Sequence, residues 1–177
     1  MIEIIYAQPQ KEQSRANKAL IDAVTQLPDV NVNDIYVNYP DFQIDAQAEQ
    51  ERLLKAKTII CQYPIHWNHS PALLNLWFEK VFTYGWAYGQ GAEALKGKRL
   101  LWVATAAGEE KNYQEENTQH LTLAQLASPL QQTAEFCGLE WLEPIVLYSS
   151  EKRTEDEMKN AGELYKQKIL QELETTH

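Results

Sequence analysis

Apolar residues recur along this chain in two periods that take turns: short β-branched runs, and longer stretches spaced at helical steps. Ile2-Glu3-Ile4-Ile5-Tyr6-Ala7 reads as a first strand. A polar loop with Pro9 and Gln10 follows, and Ser14 can cap a helix whose apolar positions are Ala16, Leu20, Ala23, Val24 and Leu27. Residues 28–31 end that helix, and residues 32–37 alternate as a second strand. Asp45 can cap a second helix carrying Ala48, Leu53 and Leu54. Residues 58–63 read as a buried third strand stopped by Pro64. Ser70-Pro71 predicts an N-cap with proline at the first helical position, before a stripe of Leu73, Leu74, Trp77, Phe78, Val81 and Phe82. A fourth strand is expected over residues 100–105, a fourth helix over 121–136 with Gly138 as its stop, and a fifth strand over 141–148. Thr154 and Glu157 form a capping box for a last helix with Met158, Ala161, Leu164, Tyr165 and Ile169 on one face.

Five strands alternating with helices indicate an α/β three-layer sandwich, a parallel sheet covered on both faces. The expected strand order is 2-1-3-4-5. No linker, repeat or low-complexity tract divides the sequence, so residues 1–177 are expected to form one domain. In such a sheet ligands bind beyond the carboxyl ends of the strands, beside strands 1 and 3. That rule selects the loops after Ala7, Tyr63 and Thr105.

A formal net charge of −9 argues against nucleic acid as the partner and against adhesion to anionic lipid. Cys61 and Cys137 lie in no CxxC pair and read as buried small hydrophobes in a reducing compartment. Neither a signal peptide nor an apolar run long enough to span a bilayer is seen, so a cytoplasmic location is expected.

The first loop leads into a helix N-terminus, where free amides, the Ser14 hydroxyl and the Arg15 charge suit a phosphate, although an ordinary capped helix start has the same look. There is no GxGxxG and no Walker A loop. The second loop, Tyr63-Pro64-Ile65-His66-Trp67-Asn68-His69, is rich in groups that can flank a planar ring. His66 and His69 lack the further ligands that a metal site needs, and His66 has no carboxylate partner visible in sequence. The third loop, Thr105-Ala106-Ala107-Gly108, offers small residues that allow close backbone approach. Residues 81–91 form a glycine-interrupted aromatic segment that suits core packing, a partner surface or a wall over a flat ligand.

These residues carry a family resemblance. Tyr6-Ala7-x-Pro9 with Ser14-x-Ala16-Asn17, Tyr63-Pro64-Ile65-x-Trp67, Pro71-x-Leu73-Leu74-x-x-Trp77 and Gly85-Trp86-Ala87-Tyr88-Gly89 resemble the flavodoxin-like NAD(P)H:quinone oxidoreductases. Within them the chain is most similar to the ancillary proteins of bacterial glutathione-gated potassium-efflux (Kef) systems, over nearly its whole length. The resemblance implies a homodimer with FMN as cofactor and with NAD(P)H and a quinone as substrates in ping-pong turnover. It also implies a possible regulatory role at a Kef transporter, with peripheral placement at the inner membrane. It assigns the FMN phosphate and ribityl chain to Ser14, Arg15, Ala16 and Asn17, the ring to Pro64, Ile65, His66, Trp67, Asn68, Thr105, Ala106, Ala107 and Gly108, and counts Gln8 among the cofactor-binding residues. Tyr113 and His120 are its candidates for stabilising the reduced flavin. Two departures stand out: Gln8 replaces a usual histidine, and residues 105–108 replace Thr-Thr-Gly-Gly.

Overall fold

A computed structural model describes residues 1–10, 14–116 and 121–174. Its strands are β1 (Ile2–Tyr6), β2 (Val30–Asp34), β3 (Thr58–Pro64), β4 (Arg99–Thr105), β5 (Glu140–Trp141) and β6 (Ile145–Leu147). Its helices are α1 (Arg15–Val24), α2 (Ile35–Asn38), α3 (Ala46–Lys55), α4 (Ala72–Val81), α5 (Leu123–Phe136) and α6 (Glu155–Glu174).

All of β1 and β3 is buried, because both faces of the sheet are covered. Successive residues of these strands enter opposite cores. Ile5, Ile59, Cys61, Trp102 and Ala104 pack with α3, α4 and α5 through Leu53, Leu74, Trp77 and Leu130. Ile4, Ile60, Leu101 and Val103 pack on the other side with Leu20 and Val24 of α1 and with Met158, Tyr165 and Ile169 of α6. Gly162 lets α6 press onto α1: a Cβ there would lie 3.1 Å from the Ala19 carbonyl oxygen and 3.1 Å from the Ala23 Cβ.

The strand order is β2-β1-β3-β4-β5, all parallel, with β6 also on β4. The expected order is therefore borne out, and several boundaries are corrected. The second strand is Val30–Asp34, because the Asp34 carboxylate accepts from the Val37 N–H and turns the next residues into α2. The fifth strand is two pieces, since Pro144 between them has no N–H to donate to β4. Pro71 occupies the N-cap of α4 rather than its first helical position, and the Ser70 hydroxyl donates to Asn75 Oδ1 instead of capping. The fourth helix begins at Leu123, held by a reciprocal capping box of Thr122 and Gln125. Asp45 caps α3, Thr154 and Glu157 bond reciprocally at the start of α6, and Gly138 takes φ +74° after α5, as expected. No described helix is long and apolar enough to cross a membrane.

Two buried carboxylates anchor the β2 side. Glu49 of α3 is fully buried and accepts from Trp77 Nε1 (2.7 Å), Tyr39 Oη (2.7 Å) and Asn33 Nδ2, so one side chain joins β2, α3 and α4. Glu3 of β1 is 1% exposed, and both its oxygens accept from Asn31 Nδ2 (2.9 and 2.7 Å). Burial pushes the Glu3 carboxyl up from 4.5 to about 7, against the opposing pull of Asn31 and Arg52. A carboxyl whose folded pKa is raised adds most stability below its unfolded value, and that contribution is lost as pH rises from about 4.5 to 7. Glu3→Gln is therefore expected to be neutral at pH 4 and to raise stability by about 1–3 kcal/mol at pH 8, read from urea unfolding at both pH values. Equal stability changes at the two pH values would refute this.

Candidate functional site: a cleft at the carboxyl edge of the sheet

The carboxyl ends of β1, β3, β4 and β6 open onto a cleft of about 250 Å³. Gln8, Gln10, Ser14, Arg15 and Ala16 line one side, Pro64, Ile65 and His66 a second, Thr105 and Ala107 a third, and Ser150 and Glu151 a fourth. The three loops chosen by the switch-point rule thus converge.

Main-chain bonds lock these loops together. Ile65 N–H donates to the Thr105 carbonyl (2.9 Å). Ala106 N–H donates to Leu147, while Ser150 N–H donates to Ala106 and Ser149 N–H to Gly108. Glu109 adds a surface bridge from Lys111 (2.7 Å) to Lys152 (3.8 Å), an exposed pair of contacts worth little in salt.

The first wall is built from within. Gln8 is 2% exposed, and its Oε1 accepts from Asn17 Nδ2 (2.8 Å) while its Nε2 donates to the Gln10 carbonyl (3.2 Å). Gln62 Nε2 donates in turn to Asn17 Oδ1 (2.8 Å). This chain of amides fixes the first loop against β3 and the start of α1. Ser14 holds the N-cap position of α1, but its hydroxyl makes no capping bond and faces the cleft instead. Arg15 lines the same corner and meets Glu155 at 3.8 Å. A free hydroxyl, a guanidinium and the first-turn amides together form a donor set for an anion.

The second wall ends in a tight hairpin. His66 and His69 exchange both backbone hydrogen bonds, and Trp67 (φ 49°) and Asn68 (φ 63°) take the left-handed conformations of its turn. Trp67 is 94% exposed, and Asn68 borders a separate cavity beside α5. Asn17 lies beneath the cleft wall, and Ala106 and Gly108 contribute main chain that holds the loops. Tyr113 stands behind Gly108, where a Cβ would come within 2.9 Å of its Oη. His120 lies outside the described residues. The aromatic segment 81–91 contributes nothing to this cleft: Ala87 is buried, Trp86 and Tyr88 pack against the core, and Tyr84 is exposed.

Reading the sequence missed Gln10, Ser150 and Glu151. The signal was available, since residues 148–151 follow the last strand at the same sheet edge, but the switch-point rule directs attention only to strands 1, 3 and 4.

The family model for the flavodoxin-like fold matches residues 2–169. The chain belongs to the flavodoxin-like family. It is 43% identical, over 99% of its length and 98% of the relative's, to the glutathione-regulated potassium-efflux system ancillary protein KefF of Enterobacter sp. (strain 638). This bears out the resemblance to Kef ancillary proteins. Among solved flavodoxin-like structures, general stress protein 14 of Treponema denticola, in complex with FMN, superposes with TM-score 0.87 at 32% identity over 93% of this chain and 94% of that one. A chain described as a thermophilic tryptophan halogenase from Streptomycin violaceusniger gives TM-score 0.90 at 33% identity over 96% and 98% of the two chains. Its named reaction stays with that chain; what is shared is the flavodoxin-like fold.

Gln8 does not depart from the architecture so much as supply a neutral acceptor to Asn17. An imidazole accepts there only when unprotonated. Gln8→His is therefore expected to match the parent at pH 8 and to lose about 1–3 kcal/mol as pH falls through about 6.5, because the fold then holds the histidine neutral. Thermal unfolding at pH 8 and pH 5.5 checks this, and a pH-independent difference would refute it.

Proposed function

We propose that this chain is an FMN-dependent NAD(P)H:quinone oxidoreductase. The observation that carries the reading is the cleft itself: a corner of hydrogen-bond donors at the start of α1, continuous with the walls formed by Pro64, Ile65, Thr105 and Ala107. The FMN complex of the Treponema relative and the sequence match to KefF support it.

Ser14, Arg15 and the first-turn amides of α1 are suited to hold the FMN phosphate, and Ala16 leaves room beside it. Pro64, Ile65 and His66 are suited to bed the ring on one side, and the main chain of residues 105–108 to approach it closely on another. When bound, FMN supplies the two-electron hydride chemistry, so that NAD(P)H, a proton and a quinone give NAD(P)⁺ and a hydroquinone. One open mouth serves both substrates in turn, which is the basis for ping-pong turnover. Tyr113 is assigned the role of donating its phenol hydrogen to charge that develops on the flavin, with His120 as a second such donor.

A second reading, compatible with the first, is an ancillary subunit of a Kef-type potassium-efflux transporter. The 43% identity to KefF over nearly both chains favours it. The exposed Trp67, Tyr84 and Phe136 offer contact area for a homodimer or for that transporter, and on this second reading the chain works in the cytoplasm at the membrane face.

Arg15→Ala is expected to raise the FMN Kd about tenfold or more, while Lys18→Ala on the exposed face of α1 stays within about twofold, measured by flavin fluorescence quenching. Equal effects of the two would remove the phosphate assignment. Anaerobic NAD(P)H is expected to bleach the visible flavin band of the loaded protein and a quinone to restore it. Bound FMN that does not bleach would leave the ancillary reading, which predicts faster potassium efflux when the chain is co-expressed with a Kef-type transporter.

A further inference from the structure

The fourth wall of the cleft, Ser150 and Glu151, belongs to the turn of residues 148–151 between β6 and α6. It is firmly built. Ser149 takes φ 53°, a conformation costly for a residue with a Cβ, and its N–H donates to Gly108 at 2.8 Å. Arg153 Nε donates to the Tyr148 carbonyl at 3.1 Å, and Arg153 is steadied by Glu157, which also caps α6. The turn thereby aims the Tyr148 ring at Tyr113. The two centroids lie 5.4 Å apart with the planes inclined at 36°.

Tyr113 is thus gripped from two sides. Gly108 gives it clearance on one, since a Cβ would press on Oη and the ring edge at 2.9 and 3.1 Å. Tyr148 backs it on the other. The short turn Glu110–Tyr113 that carries Tyr113 has no buried residue, so little within that turn fixes its ring. Burial, with Glu110 and Tyr113 adding to it, pushes the Tyr148 phenol up from its ordinary value.

We infer that Tyr148 is a positioning residue, whose ring holds the Tyr113 phenol against Gly108, next to the Ala107 wall of the cleft. The inference rests on the reading of Tyr113 as a donor to the flavin. Edge and face contact between two rings is worth enough to populate one orientation about 2- to 10-fold over the alternatives.

The test combines a readout on the apoprotein with one on the loaded enzyme. In protein labelled with ¹³C-tyrosine, the Tyr113 ring signals, assigned by their loss in Tyr113→Phe, are expected to lose their ring-current shift in Tyr148→Leu and to keep it in Tyr148→Phe. Tyr148→Gln, which a half-buried surface turn tolerates, is the second disruptive variant and should behave as Tyr148→Leu. With FMN bound, Tyr148→Leu is expected to lower kcat about 2- to 10-fold with KM for a quinone within about twofold, and Tyr148→Phe to restore kcat. Tyr113→Phe combined with Tyr148→Leu should be no slower than Tyr113→Phe alone. Unmoved Tyr113 signals in both disruptive variants, or losses that multiply in the double variant, would overturn the inference. Should Tyr113→Phe itself keep full kcat, the catalytic reading of Tyr113 fails, and the apoprotein signals still decide whether Tyr148 holds the ring.

Discussion

Everything in this molecule hangs on a parallel sheet that must be buried on both faces. Because β1, β3 and β4 run the same way, each returns through a helix, and each leaves the sheet at the same edge. The loops at that edge have no further core to enter. They bond to one another instead, Ile65 to Thr105, Ala106 to Leu147, Ser149 to Gly108, and the hollow between them is the cleft.

The polar interior follows the same logic. Amides and carboxylates are buried where a chain crossing must be pinned, and each is given partners. Gln8, Asn17 and Gln62 connect the first loop to β3 without exposing a charge, while Gln10, Ser14 and Arg15 line the cleft beside them. On the β2 side, Glu49 gathers Trp77, Tyr39 and Asn33, and the full desolvation of its carboxylate makes each of those bonds costly to remove. At Glu3, Asn31 meets both carboxylate oxygens, and burial still pushes the carboxyl up to about 7.

Function reads naturally from this division. A donor corner at the helix start and walls with small residues surround the cleft, and a pair of tyrosines packs behind Gly108 beside it. The corner is suited to an anion and the walls to a ring; on the proposed reading Tyr113 answers charge on that ring and Tyr148 steadies Tyr113. The exposed Trp67 at the hairpin tip and the aromatic rim near Phe136 lie outside the cleft.

Local pattern legibly carried the element order, the capping residues Asp45, Thr154 and Glu157, the strand order and the three converging loops, because each depends on neighbours within a few residues or on a rule about parallel sheets. The boundaries it misplaced were settled by competing bonds, the Asp34 cap that cuts β2 short and Pro144 that splits the last strand. The direction of side chains was beyond it. Asn17 and Ser14 lie three residues apart, yet one turns inward to Gln8 and the other outward to the cleft. Trp67 looked like a wall and stands at a hairpin tip. By itself the sequence determined which elements form and which edge of the sheet they leave open; only the tertiary structure decided which side chains face that opening, because this depends on partners such as Gln62 and Tyr148 that lie 45 and 35 residues away along the chain and meet Asn17 and Tyr113 only once the sheet is assembled.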